Sequence, residues 1–140
     1  VTILGKMEVC LWVGSDAEDT AFTAKIMEVF ADGSCVNIRG SITTLAYRNG
    51  SVKRQAYRPN DKVMVRIEMW PVGWRTKKGS RLRVAISSSD FPPYAVHTNY
   101  PGIWSRQEKS KRAGQTIYTG EGQDSCLKIP AADIDHLSNK

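Results

Sequence analysis

The chain has 140 residues, 41% of them hydrophobic and 24% charged, a balance that excludes a disordered segment and suits one domain with a substantial core. No run approaches the roughly 20 apolar residues of a membrane-spanning helix. No basic start, apolar run and small-residue cleavage site occur together, so the reading is a soluble, cytoplasmic protein. The first residue is Val1 rather than Met, which suggests a processed or excised segment. The net charge of +6 is unevenly spread: residues 51–115 hold fourteen basic and four acidic side chains, while residues 1–50 and 116–140 each sum to −2. Such a middle serves a solvated face, a surface facing an acidic partner domain, or a polyanion site. Nucleic acid is not expected as a partner.

In chain order, Thr2 to Val13 reads as one strand, with Met7, Val9, Leu11 and Val13 on one face and Lys6, Glu8, Cys10 and Trp12 on the other. An acidic loop over Asp16 to Thr20 follows, its carboxylates facing solvent. Phe22 to Phe30 and Cys35 to Arg39 then form a hairpin around Asp32-Gly33. Leu45 to Arg48 reads as a further strand closed by Asn49-Gly50, and Pro59-Asn60-Asp61 as a turn. Val63 to Trp70 is a strand with Val63, Val65, Ile67 and Met69 on one face, stopped by Pro71. Residues 71–80 read as a turn-rich basic connection. Arg81 to Ser87 is the next strand, with Leu82, Val84 and Ile86 pointing one way. Residues 90–114 form a long irregular loop with three prolines, a length that usually serves a purpose or leaves the segment partly disordered. Thr116 to Tyr118 and Cys126 to Ile129 close the fold, and residues 131–140 read as a tail that frays or makes one helical turn. Many short strands punctuated by Gly, Pro, Asn and Asp, with no sustained helical period, define an all-β protein: a two-sheet sandwich or a barrel.

Little in the chain points to chemistry. There is no GxSxG elbow, and Ser87, Ser88 and Ser89 read as a strand end whose hydroxyls bond nearby backbone. Cys10, Cys35 and Cys126 are widely spaced without a CxxC pair, and only His97 and His136 could assist them, so no zinc site is expected. Cys10 reads as a small buried hydrophobe. Glu8, Glu28 and Glu68 lie in strands with nothing to pair them as a glycosidase acid and base. No catalytic residue, metal ligand, cofactor site or cofactor is expected. Trp12, Trp70, Trp74, Trp104, Tyr94 and Tyr100 serve either as core and interface anchors or as a sugar-stacking set.

The stretch from Lys77 through Gly79-Ser80-Arg81-Leu82-Arg83-Val84-Ala85-Ile86-Ser87-Ser88-Ser89-Asp90-Phe91-Pro92 resembles the C-terminal domain shared by X-Pro dipeptidyl-peptidases, cocaine-esterase-like (CocE/NonD) hydrolases and α-amino-acid ester hydrolases. The likeness extends to Gly5–Ser15, Asp19–Lys25 with Val29–Gly33, Trp70-Pro71, Gln115–Tyr118 and Leu127–Pro130. Ser80 stands where that family usually has histidine, Ala21 where aspartate is common, and Tyr94–Gly102 follows the usual loop only loosely. Glu121–Ser125 keeps the serine before the last strand without the usual proline. The resemblance implies a single jelly-roll-like, galactose-binding-domain-like β-sandwich over residues 1–140. It implies a non-catalytic part of a serine hydrolase that acts on acyl esters or X-Pro peptides. The partners it implies are an upstream α/β-hydrolase domain and its helical cap. The surface that meets them is expected to carry some of Trp70, Trp74, Tyr94, Tyr100 and Trp104, and His97 in the long loop could border the substrate entrance. Pairing of two copies through that surface is a further expectation. The alternative is a free-standing carbohydrate- or polyanion-binding module.

Overall fold

Strand β2 (Glu8–Ser15) organises the fold because its inward row is almost wholly apolar. Val9, Leu11 and Val13 are buried, as is Met7 just before the strand. The computed structural model describes residues 1–120, 122 and 124–132. Its remaining strands are β1 (Thr2–Gly5), β3 (Ala21–Val29), β4 (Cys35–Thr44), β5 (Val63–Glu68), β6 (Val72–Arg75), β7 (Arg81–Ser87), β8 (Gln115–Tyr118), β9 (Cys126–Lys128) and β10 (Ala131–Ala132). Two short 3₁₀ turns cover Arg48–Gly50 and Trp104–Arg106.

All strand pairings among the described residues are antiparallel, and they form three sheets rather than the expected two: β10-β1-β6, β5-β2-β8 with β9 also on β2, and β4-β3-β7. The extra division arises where a single first strand is expected. Gly5 sits at φ 129°, a conformation open mainly to glycine, and the chain leaves the ladder at Lys6-Met7. The residues ahead of the break, β1, pair with β6 instead of continuing beside β5. The connection expected over residues 71–80 therefore holds a strand, since β1 needs a ladder partner and Val72–Arg75 supplies it. The turn itself is confined to Lys77–Ser80, closed by the Ser80 amide donating to the Lys77 carbonyl at 3.2 Å, with Gly79 at φ 83°.

A second correction concerns Leu45 to Arg48, which is not a strand. Leu45 and Ala46 are buried, but the Leu45 amide bonds the Thr20 carbonyl (3.0 Å) and the Ala46 amide bonds Asp19 Oδ1 (3.0 Å). Their donors are thereby used outside any ladder. Strand β4 instead runs on to Thr44. It contains a bulge: Ile26 faces Arg39 and Met27 faces Asn37, so Ile38 is the extra residue and turns into the core. In β7, Leu82 and Ile86 pack on the core, but Val84 is 39% exposed. At the other end of the chain, Ala131-Ala132 pairs with Ile3 and Thr2; the rest of the expected tail, with His136, lies outside the described residues.

One core joins the three sheets. Ile3 enters it from β1, Val9, Leu11, Val13, Val65 and Ile67 from the central sheet, and Phe22, Ala24 and Ile26 from β3. Truncating a fully buried aliphatic chain there removes its transfer free energy and leaves a cavity. Ile67→Ala should cost about 2–5 kcal/mol of unfolding free energy. Val52→Ala, at a side chain 92% exposed, should change stability by less than about 0.5 kcal/mol. Urea titration of the two variants checks the contrast.

Candidate interface surface

The long loop of residues 90–114 is tied down at one side and open on the other. Asn99, at φ 66°, accepts from Thr20 Oγ1 (2.8 Å) and donates its Nδ2 to the Lys111 carbonyl (2.7 Å). Its amide donates to His97 Nδ1 (2.9 Å), which leaves His97 Nε2 to carry the proton. That nitrogen faces Asp19 Oδ2 at 3.7 Å, and Arg54 Nη2 approaches the same oxygen at 3.7 Å. Asp19 is buried, contrary to the solvent-facing carboxylate expected there, because its other oxygen caps the Ala46 amide. Asp16 is exposed and latches the end of the loop by accepting the Gly114 amide (2.7 Å). Between these anchors, the Thr98 hydroxyl donates to Gln107 Oε1, and Gln107 Nε2 donates to the Pro101 carbonyl (3.0 Å).

The six expected surface residues divide by environment. Trp70 is 78% exposed and Trp104 55% exposed, while Tyr100 lies at the margin with Lys111 Nζ 4.9 Å from its ring centre. Tyr94 is half-buried and donates its hydroxyl to the Gly40 carbonyl (3.2 Å). A 380 Å³ cleft brings Trp70 and Tyr94 together with Lys25, Arg39, Asp90 and Pro93. Lys25 and Asp90, both lining it, form an ion pair at 2.6 Å. His97 is largely enclosed, held by Asn99 and Asp19. Trp74 does not belong with the exposed residues: its indole nitrogen donates to Glu28 Oε2 at 2.8 Å. Phe91, Val96 and Ile103 are exposed loop residues that sequence reasoning did not single out. Isolated apolar residues in an irregular loop carry no periodic signal, so nothing in the sequence marks them as exposed.

Glu28 is the most consequential residue missed. It is buried on β3 and accepts three hydrogen bonds: from Ser80 Oγ (2.5 Å), the Lys77 amide (2.6 Å) and the Trp74 indole. Those bonds, led by the Ser80 hydroxyl, hold its carboxyl below the ordinary value despite the opposing effect of burial. Its work is structural, since it fixes the Lys77–Ser80 turn and the end of β6 onto β3. Elsewhere, Ser87 Oγ accepts the Ser89 amide at 3.3 Å, the backbone role expected of that serine run. Among the described residues no group of three or more His, Cys, Asp or Glu side chains is placed to hold a metal ion, and no helix is long and apolar enough to cross a membrane.

The scaffold is all-β, with an anchored loop, exposed aromatics and buried carboxylates held by hydrogen bonds from backbone and side chains. The chain belongs to the family of X-Pro dipeptidyl-peptidase C-terminal non-catalytic domains, whose model matches residues 1–128. It is 31% identical over 132 residues to a cocaine esterase of Rhodococcus sp. (strain MB1 Bresler), a match covering 93% of this chain and 23% of that protein. Among solved structures it resembles a CocE/NonD family hydrolase from Staphylococcus aureus (24% identity, TM-score 0.71, covering 92% of this chain and 28% of the other). It also resembles an aminopeptidase from a marine sediment Thaumarchaeota archaeon (23% identity, TM-score 0.79, 91% and 23%). An α-amino acid ester hydrolase aligns with a TM-score of 0.78 at 19% identity, over 92% of this chain and 23% of that one. The structural likenesses carry the fold. The chain spans about a quarter of the length of each of these relatives.

Glu28 sets an expectation for acid stability. A carboxyl whose folded pKa lies below its unfolded value stabilises the fold above that unfolded value, near 4.5, and the contribution is lost as pH falls through the folded pKa. Wild-type stability should therefore drop on acidification below pH 4.5. Glu28→Gln, which cannot titrate, should be less stable at neutral pH and show a shallower acid slope. Urea midpoints across pH 3 to 7 measure both.

Proposed function

We propose that this chain serves as the non-catalytic jelly-roll domain of a serine hydrolase, packing on an α/β-hydrolase domain and its helical cap. The reaction, hydrolysis of acyl esters or X-Pro peptides, belongs on this reading to the hydrolase domain. The observation that carries it is the exposure of Trp70, Trp104, Phe91 and Ile103 on a domain of this family. Large apolar side chains left in water on an isolated domain mark a surface that another body covers. Lys25, Asp90 and Tyr94 supply polar groups beside Trp70 in the cleft, the usual company of an apolar anchor. The long loop forms one border of the substrate entrance, with His97 holding its stem rather than touching substrate.

Three measurements test this reading. The 140-residue chain should hydrolyse neither an aryl ester nor an X-Pro anilide, and turnover abolished by alanine at Ser87, Ser88 or Ser89 would overturn it. Trp70→Ala should shift the stability of the 140-residue chain by less than about 0.5 kcal/mol. In the full-length hydrolase the same change should weaken docking by roughly 2 kcal/mol. Equal effects in the two contexts would argue against a covered Trp70. Finally, His97→Ala in the full-length enzyme should lower kcat/KM by less than about tenfold, or about 1.4 kcal/mol.

A further inference from the structure

Cys10 and Cys126 are separated by most of the chain, yet the register of β9 on β2 sets them directly opposite each other. Directly opposed residues in an antiparallel pair have Cα atoms about 4.5 or 5.5 Å apart, depending on their place in the ladder. The Met7 carbonyl faces β5 and the Trp12 amide faces Ser125, so Cys10 and Cys126 are a hydrogen-bonded pair; their Cα separation of about 5.5 Å lies within the roughly 4.4–6.8 Å a disulfide spans, and closure draws their Cβ atoms in to about 3.5–4.5 Å by a local shift of β9. Opposed side chains also project from the same face of the sheet. Here that is the outer face, since the neighbouring opposed pair, Val9 with Leu127, belongs to the core side. Cys10 is buried and Cys126 exposed, so Cys126 is the residue of the pair that solvent reaches more readily. Cys35, at the start of β4, is exposed and lies opposite Val29 rather than a thiol.

We propose that Cys10 and Cys126 form a cross-strand dithiol that closes to a disulfide by exchange with a small-molecule disulfide such as oxidised glutathione. The exposed Cys126 thiolate attacks one glutathione sulfur, its S–H proton leaves with the displaced glutathione thiol, and a mixed disulfide forms. Cys10 then attacks Cys126 Sγ and releases the second glutathione thiol. In sum two protein S–H bonds and one glutathione S–S bond are broken, one protein S–S bond and two glutathione S–H bonds form, and two electrons pass to glutathione.

The second step is the slow one. Cys10 Sγ–H donates to Glu8 Oε1 at 3.2 Å, and Glu8 is also paired with Lys128 Nζ at 2.8 Å. Burial, with help from that hydrogen bond, pushes the Cys10 thiol up to about 11. The thiolate fraction, and with it the closure rate, should rise about tenfold per pH unit through the neutral and mildly alkaline range. Closure would bind the three residues of β9 covalently to the central strand, where backbone ladder bonds and the Glu8–Lys128 pair otherwise hold it.

The test uses the 140-residue chain carrying Cys35→Ala, incubated at pH 8.5 with oxidised glutathione, trapped with acid and mapped by mass spectrometry without reduction. The expected product has lost the mass of two hydrogens, carries no glutathione and contains a peptide linking Cys10 to Cys126. Closure at pH 7.5 should be about tenfold slower. Persistent glutathione on Cys126, with Cys10 still alkylatable after unfolding, would overturn the proposal. So would a linked peptide that forms only in urea, because the link would then owe nothing to the native register.

Discussion

Strand β2 has two edges to satisfy and one face that cannot stand in water. A strand with Met7, Val9, Leu11 and Val13 on one side must be covered, and each of its backbone donors and acceptors must find a partner in doing so. One edge is taken by β5, from Glu8 opposite Glu68 to Val13 opposite Val63. The other is shared: β8 covers Trp12 to Ser15, and β9 covers Glu8 to Cys10. At the changeover the Ser125 hydroxyl accepts the Trp12 amide (3.0 Å) and donates to the Tyr118 carbonyl (2.9 Å). One side chain thus completes the ladder where the strand partner changes. The serine before the last strand, visible in the sequence as a family feature, has this as its physical purpose. Glycine at position 14 follows from the same crowding, for a Cβ there would lie 3.1 Å from the Tyr118 hydroxyl.

Alternation made much of this legible. The rows in β2, β5 and β7 could be read because a strand with one wet face writes its period directly into residue type. Asp32-Gly33 could be read because the turn needs its chemistry: the Asp32 carboxylate caps the Ser34 amide at 2.9 Å, and Gly33 sits at φ 85°. What escaped was decided by partners distant in sequence. Nothing in Val72–Arg75 announces a strand; β1 makes it one. Nothing near Leu45 shows that its amide will serve Thr20. Glu28 looks like any strand carboxylate until Trp74, Lys77 and Ser80 close around it.

The surface residues show the same division. Counting aromatics put Trp70, Trp104 and Trp74 in one surface set, and Trp12 among the core, interface or sugar-stacking candidates. Trp74 is spoken for by a buried carboxylate, and Trp12 lies beside Lys62, whose ammonium is 5.7 Å from its ring centre. Whether an indole is free for a partner depends on what reaches its nitrogen and its faces, and that is a property of the folded neighbourhood. The loop bearing Tyr100 and Trp104 is similar. Its irregularity suggested mobility or purpose, while its hydrogen bonds through Asn99, His97 and Asp16 make it a defined projection from the sheets.

The pairing of β1 with β10 has a consequence for how such a module can be joined to others. Thr2 lies opposite Ala132, so the two ends of the described chain meet on neighbouring strands, about 4.8 Å apart. Topologically the module is nearly a closed ring, opened at one point on the rim of a sheet. Peptide entering and leaving there would pass through a single doorway, leaving the far loops free of tethering. A short linker could join the ends and new ends could be cut in an exposed turn, such as that around Gly33, which makes this architecture a natural substrate for circular permutation.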